Sequence, residues 1–229
     1  MLTQDDNGPD GKKTEYLKDD QLNLFRHFDP DLYDFLRGKI HEHETERVSR
    51  DVKNFTDRQL KNAKFHGESL SDARENREAY FRRMWSQFAT SQVDLIFFDP
   101  DNGLANNNNS KSPKMKGTMN SSKNLFRDEV SESLNKGFSV LFYQHFDRTS
   151  RSDLVARLGS ELAAMTPIQK SYSFWTPHVV FFLVPLEKHM EMISNAIVRV
   201  LASRWAQPRS CRTSLKNDQR HILVGMHNI

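Results

Sequence analysis

The chain has 229 residues, 37% hydrophobic and 28% charged, with a mean hydropathy of −0.73, enough for one substantial core and read here as a single domain over 1–229. No apolar stretch approaches the length of a bilayer span, and the opening Met1-Leu2-Thr3-Gln4-Asp5-Asp6 lacks the basic-then-apolar order of a secretory signal, so a cytoplasmic location and no membrane partner are expected. The lone Cys211 excludes an intrachain disulfide and a cysteine-based structural zinc site, while a net charge of +3 permits a nucleic-acid partner without demanding one and leaves the oligomeric state open.

Residues 1–20, centred on Gly8-Pro9-Asp10-Gly11, read as a loop. Asp29-Pro30-Asp31 supplies an N-cap and a proline at the first helical position, which predicts a helix through Leu32, Phe35, Leu36 and Ile40. Short strands are expected around 48–52 and 63–66. Ser71-Asp72-Ala73 opens a second helix, in which Tyr80, Met84, Trp85 and Phe88 form the apolar stripe and Arg74, Glu75, Arg77, Glu78, Arg82 and Arg83 fill the other face.

The continuous apolar run from Leu95 to Phe98 then ends abruptly in Asp99-Pro100-Asp101-Asn102-Gly103. That is the pattern of a doubly buried parallel strand delivering polar groups to its carboxyl end, where open α/β sheets bind ligands. Residues 105–120 read as a mobile loop, followed by a helix from Leu125 to Asn135 closed by Lys136-Gly137. Phe138 to His145 is a second buried strand ending in Tyr143, Gln144 and His145, with Arg148 just beyond. An amphipathic helix over 152–164 has the length of a βαβ crossover. Ile168 to Trp175 and His178 to Val184 are separated by too few residues for a parallel crossover and so predict an antiparallel hairpin, before a helix over 186–205 and a possible strand over 221–226.

Strand, helix, strand, helix and antiparallel hairpin is the order of the second half of a Rossmann-like methyltransferase sheet. The expected fold is therefore α/β with a mostly parallel, Rossmann-like sheet carrying a C-terminal antiparallel hairpin. Asp99-Pro100 resembles the Asp-Pro-Pro-aromatic signature of methyltransferases that act on exocyclic amines of bases, with Asp101-Asn102-Gly103 replacing the second proline and the ring. A closer resemblance is to an uncharacterised bacterial family. Its running pattern is matched by Phe97 to Leu104, by Ser121-Ser122-Lys123 with Asp128-Glu129, and by Tyr143-Gln144-His145 with Arg148. Met1 to Asp6, Asp10-Gly11-Lys12 and Tyr16-Leu17 also match, so the resemblance spans nearly the whole chain. It implies that the family's chains carry a segment before Met1, which makes this one look shortened, and a glutamate where this chain has Ala105.

Three functions follow as expectations. In the first, S-adenosylmethionine is held by Asp6, Gly8 and Gly11; Asp99, Asp101 and Asn102 position the target amine; Tyr143 or His145 stacks the base; and Lys123, Gln144 and Arg148 bind substrate. In the second, Asp99 and Asp101 with Asp128 or Glu129 hold Mg²⁺ or Mn²⁺ for a nuclease or phosphodiesterase. In the third, the chain is a catalytically degenerate binding module. The bland readings are a solvated helical pair for Asp128 and Glu129, an N-cap for Ser121, and strand caps for Tyr143 and His145.

Overall fold

The computed structural model describes residues 2–3, 22, 26–27, 29–43, 63–105, 114–146, 150–175, 179–202 and 223–228. The chain groups into two compact units, one formed by 5–67 and the other by 1–4 with 68–229. In the first, α1 (Pro30–His43) begins where the capping signal places it: Asp29 Oδ1 accepts the Leu32 N–H at 3.0 Å. The strand expected around 48–52 lies outside the described residues.

In the second unit, β1 (Leu2–Thr3) pairs in parallel with β2 (Ser69–Leu70). The strand expected at 63–66 is irregular backbone, and the extended pair falls a few residues later. Next come α2 (Arg74–Thr90), β3 (Leu95–Phe98), a 3₁₀ turn (Ser121–Lys123), α3 (Arg127–Asn135), β4 (Ser139–His145) and α4 (Arg151–Ala163). The chain closes with β5 (Lys170–Trp175), β6 (Val179–Val184), a 3₁₀ turn (Glu187–His189), α5 (Met190–Ala202) and β7 (Leu223–Asn228).

Five strands form one open sheet in the order β3-β4-β6-β5-β7. The architecture is mixed α/β, but the sheet is not mostly parallel as expected: among the described residues β3 and β4 are its one parallel pair, and β4–β6, β6–β5 and β5–β7 are all antiparallel. The reason is local. Only three residues separate β5 from β6, so β6 must return antiparallel, as the sequence predicts. It lands between β4 and β5, turning what would be one parallel neighbour pair into two antiparallel ones.

The core lies mainly on one face of this sheet. Ile96 and Phe98 of β3, Val140 and Phe142 of β4, and Val180, Phe182 and Val184 of β6 meet Tyr80, Phe81 and Met84 of α2, Val130 and Leu134 of α3, and Leu154, Leu158 and Leu162 of α4. Each such side chain contributes about 1.5–3 kcal/mol by leaving water. On the opposite face α5 places Met190, Ile193 and Ile197 against Tyr172, Leu183, Leu141 and Phe174. That cover does not extend across β3, whose Leu95 and Phe97 are 37% and 50% exposed. The doubly buried strand expected here is therefore buried on one face only, because α2, α3 and α4 all pack on the same side of the sheet.

Candidate functional site

The carboxyl ends of β3 and β4 lie side by side, since Phe98 pairs with Phe142 in parallel register. Immediately after Phe98 the chain turns: Gly103 N donates to the Pro100 carbonyl at 3.1 Å, closing a tight turn over 100–103. Gly103 has φ +74°, and a Cβ there would sit 2.6 Å from Cδ of Gln144. Glycine is needed for both reasons.

Gln144, expected to bind substrate, is buried and holds the loop to its neighbour strand. Its Oε1 accepts the Leu104 N–H at 2.7 Å and its Nε2 donates to the His145 carbonyl at 2.8 Å. The loop is held from its other side by a miniature ladder. Asn102 N donates to the Lys123 carbonyl, Leu125 N to the Gly103 carbonyl and Ala105 N to the Leu125 carbonyl, at 2.8, 2.9 and 2.7 Å.

With the backbone so fixed, Asp99, Asp101 and Asn102 are exposed at the strand tip. Lys123 Nζ lies 3.9 Å from Asp101. Half-buried Tyr143 follows on β4, its Oη 3.0 Å from His145 Nε2 and its ring edge-to-face with the imidazole at 4.7 Å. Burial, and then the negative charge of Asp99, push the Tyr143 phenol above its ordinary pKa. It stays protonated at neutral pH, able to donate. Tyr143 also meets Phe181 of β6 at 5.5 Å, and Phe181 meets Phe97 at 6.2 Å, so an aromatic strip runs across the partly open sheet face. Phe97 and Phe181 carry no signal in sequence beyond apolarity.

The Ser-Ser-Lys and Asp-Glu segments take a role that the sequence does not announce. Arg77, expected on the solvent face of α2, is fully buried. Its guanidinium grips both carboxylate oxygens of Glu129 and donates to the carbonyls of Ser121 and Asn124 at 3.0 and 2.7 Å. It also stacks over Phe126 at 4.7 Å. Glu129 Oε2 in turn accepts the Phe126 N–H at 2.9 Å, closing the first turn of α3. The spacing did hold a clue: 77, 81, 84 and 88 share one helix face, which is the buried one.

Asp72, expected to open α2, instead accepts the N–H groups of Asn120 and Ser122 at 2.6 and 2.7 Å. Ser121, read as an N-cap, turns its hydroxyl to the Asp72 carbonyl. Partial burial raises the Asp72 carboxyl, but the hydrogen bonds from Ser122, Asn120 and Ser121 outweigh it and hold the pKa below the usual aspartate value. The stability this confers is present above pH 3.8 and is lost as pH falls through the depressed folded value. Asp72→Asn should therefore be less stable than the parent at neutral pH and lose less on acidification. Urea midpoints across pH 2.5 to 7 test this, and parallel curves for the two proteins would refute it.

A groove of about 610 Å³ between α2 and α3 is lined by Arg74, Arg82, Trp85, Lys116, Asp128 and Lys136 among others, and by none of the strand-tip residues. Its charges largely cancel in pairs: Arg74 with Glu78, Lys136 with Glu132, and Lys116 with Asp128.

Of the residues singled out in the sequence, Asp99, Asp101, Asn102, Lys123, Tyr143, Gln144 and His145 converge at one end of the parallel pair. Glu129, through Arg77, holds the segment behind the loop, whereas exposed Asp128 pairs with Lys116. Asp6, Gly8, Gly11 and Arg148 lie outside the described residues. Among the described residues no helix is long and apolar enough to cross a membrane, and no three His, Cys, Asp or Glu side chains are grouped to hold a metal ion. Fold and site together define a mixed α/β protein with a polar site at the carboxyl ends of adjacent parallel strands. Comparison with models of protein families, with curated proteins and with solved structures finds no match to this chain.

Proposed function

We infer that this site transfers a methyl group from S-adenosylmethionine to an exocyclic amine of a nucleic-acid base. The observation that carries the reading is the placement of Asp99 beside Tyr143, which itself contacts His145, at the carboxyl ends of β3 and β4, next to a loop tied down by Gln144. The element order supports it as well, since strand, helix, strand, helix and hairpin is what the second half of a Rossmann-like methyltransferase sheet requires.

Asp99 accepts an N–H of the amine and so aims the nitrogen lone pair, with Asn102 beside it at the same turn. Tyr143 and His145, edge to face, offer ring surface for the base. The bound cofactor supplies a methyl group on a sulfonium. Were that methyl group delivered to the amine nitrogen, the surplus amine proton would leave through Asp99 to water. The residues read as its cradle, Asp6, Gly8 and Gly11, have no described geometry.

The carboxylates needed by a metal-dependent nuclease are engaged elsewhere. Glu129 is buried on Arg77, Asp128 pairs with Lys116, and Asp101 faces Lys123. That arrangement favours methyl transfer over the phosphodiesterase reading.

Calorimetric titration with S-adenosylmethionine is expected to show saturable binding, and methylation of an amine-bearing base should fall about 100-fold or more in Asp99→Ala. No binding by the parent chain would discard methyl transfer in favour of a binding module. Binding of Mn²⁺ alone, abolished by Asp99→Ala, would replace it with the metal-dependent reading.

A further inference from the structure

At the opposite end of the parallel pair, a buried histidine that the proposed chemistry does not use joins three elements. His189, in the 3₁₀ turn before α5, points Nε2 at Asp94 Oδ1 across 3.2 Å and Nδ1 at Ser139 Oγ across 2.9 Å. Asp94 immediately precedes β3 and Ser139 opens β4. Ser139 Oγ also accepts the Leu186 N–H at 3.0 Å, and Ser139 N donates to the Asp94 carbonyl at 2.9 Å.

A carboxylate only accepts, so the ring proton belongs on Nε2. Nδ1 is then the acceptor for the Ser139 hydroxyl. A proton added to Nδ1 would set N–H against O–H. Ser139 is completely buried, so its hydroxyl has no water to turn to, and the Leu186 N–H already occupies one lone pair of its oxygen.

We propose that His189 is an acid-sensitive latch, whose neutral ring docks the start of α5 on the sheet and whose protonation releases it. The segment it would free carries Met190, Ile193 and Ile197, which cover Tyr172, Leu183, Leu141 and Phe174. Release would expose apolar surface continuous with the open strip of Leu95, Phe97 and Phe181. The ring is not a hydrolytic centre, because the fully buried Ser139 cannot meet a substrate.

Among the described residues, the charged groups facing the ring are Asp94, ahead of β3, and Lys188 on its own turn. Burial lowers the His189 pKa from the ordinary 6.5 and Lys188 adds to this, while Asp94 pulls the other way without cancelling it. The docked state thus prefers the neutral ring. Its advantage is full above pH 6.5, is lost as pH falls below that, and stops changing once the docked ring itself is protonated.

Hydrogen exchange on the full chain between pH 7.5 and 5 tests the latch, with β4 and β6 amides as the internal reference. After correction for intrinsic rates, protection over 190–202 should fall below pH 6.5 with a slope approaching about tenfold per pH unit, that of one linked proton. His189→Gln, which cannot take up the proton, should remove the slope. Should that variant not fold, Asp94→Asn decides, since the side chain of Asp94 is exposed: it should move the native His189 midpoint, followed by its ring NMR signals, further down and deepen the loss in acid. A pH-independent α5 in the parent, an unchanged slope in His189→Gln, or a His189 midpoint at or above 6.5 would overturn the proposal.

Discussion

Glu129→Ala should destabilise the protein by about 3–5 kcal/mol, the cost of leaving a buried charge without its partner. The variant strands the Arg77 guanidinium, which is fully buried between α2 and the 3₁₀ turn and touches Glu129 through both carboxylate oxygens. In a chain of this size that amounts to a fall in melting temperature on the order of 10 °C. Calorimetry of Glu129→Ala alone and with Arg77→Met separates two explanations. If the buried charge is the cause, removing both groups should restore most of the loss, because replacing a whole buried pair by apolar side chains is often close to neutral. Equal losses in the single and double variants would instead assign the effect to cavities. The strand-tip site should feel the change too, since Arg77 holds the carbonyls of Ser121 and Asn124. The residues between them lead directly to the Leu125 ladder on Gly103 and Ala105.

Gly103→Ala strikes the same loop from inside. Alanine at φ +74° costs about 1–2 kcal/mol. Its methyl would also overlap the Gln144 carboxamide, forcing that group off the Leu104 N–H and leaving a buried donor unpaired, for about 1–3 kcal/mol more. A total loss of about 2–5 kcal/mol is expected, together with impaired ligand binding at Asp99. In a Gln144→Ala background the overlap is gone, so the same substitution should cost only the backbone part. Denaturant unfolding of the four proteins of this cycle gives the coupling directly. Additive losses would mean that Gly103 and Gln144 do not act as one lock.

Much of this was legible from the residues. Asp29-Pro30 marks the start of α1 and its hydrogen bond is made. Arg127–Asn135, Ser139–His145 and Arg151–Ala163 fall within a few residues of where periodicity places them, and the short link after Trp175 forces the antiparallel return of β6. The convergence of Asp99 with Tyr143 and His145 follows from two apolar strands that each end in polar groups. Arg77 reads as solvent-facing by its charge, although 77, 81, 84 and 88 lie on one face, the buried one.

Helix starts, strand ends, the glycine turn and the antiparallel hairpin each depend on a few adjacent residues, so local chemistry suffices to read them. Other features depend on contacts between segments far apart in the chain. Arg77 meets Glu129 across 52 positions and Leu104 meets Gln144 across 40. His189 reaches Ser139 across 50. The insertion of β6 between β4 and β5, and the exposure of Phe97 on a strand that reads as doubly buried, belong to the same class. Such contacts form only when distant segments pack, and the residue types at one end do not encode which partner arrives at the other.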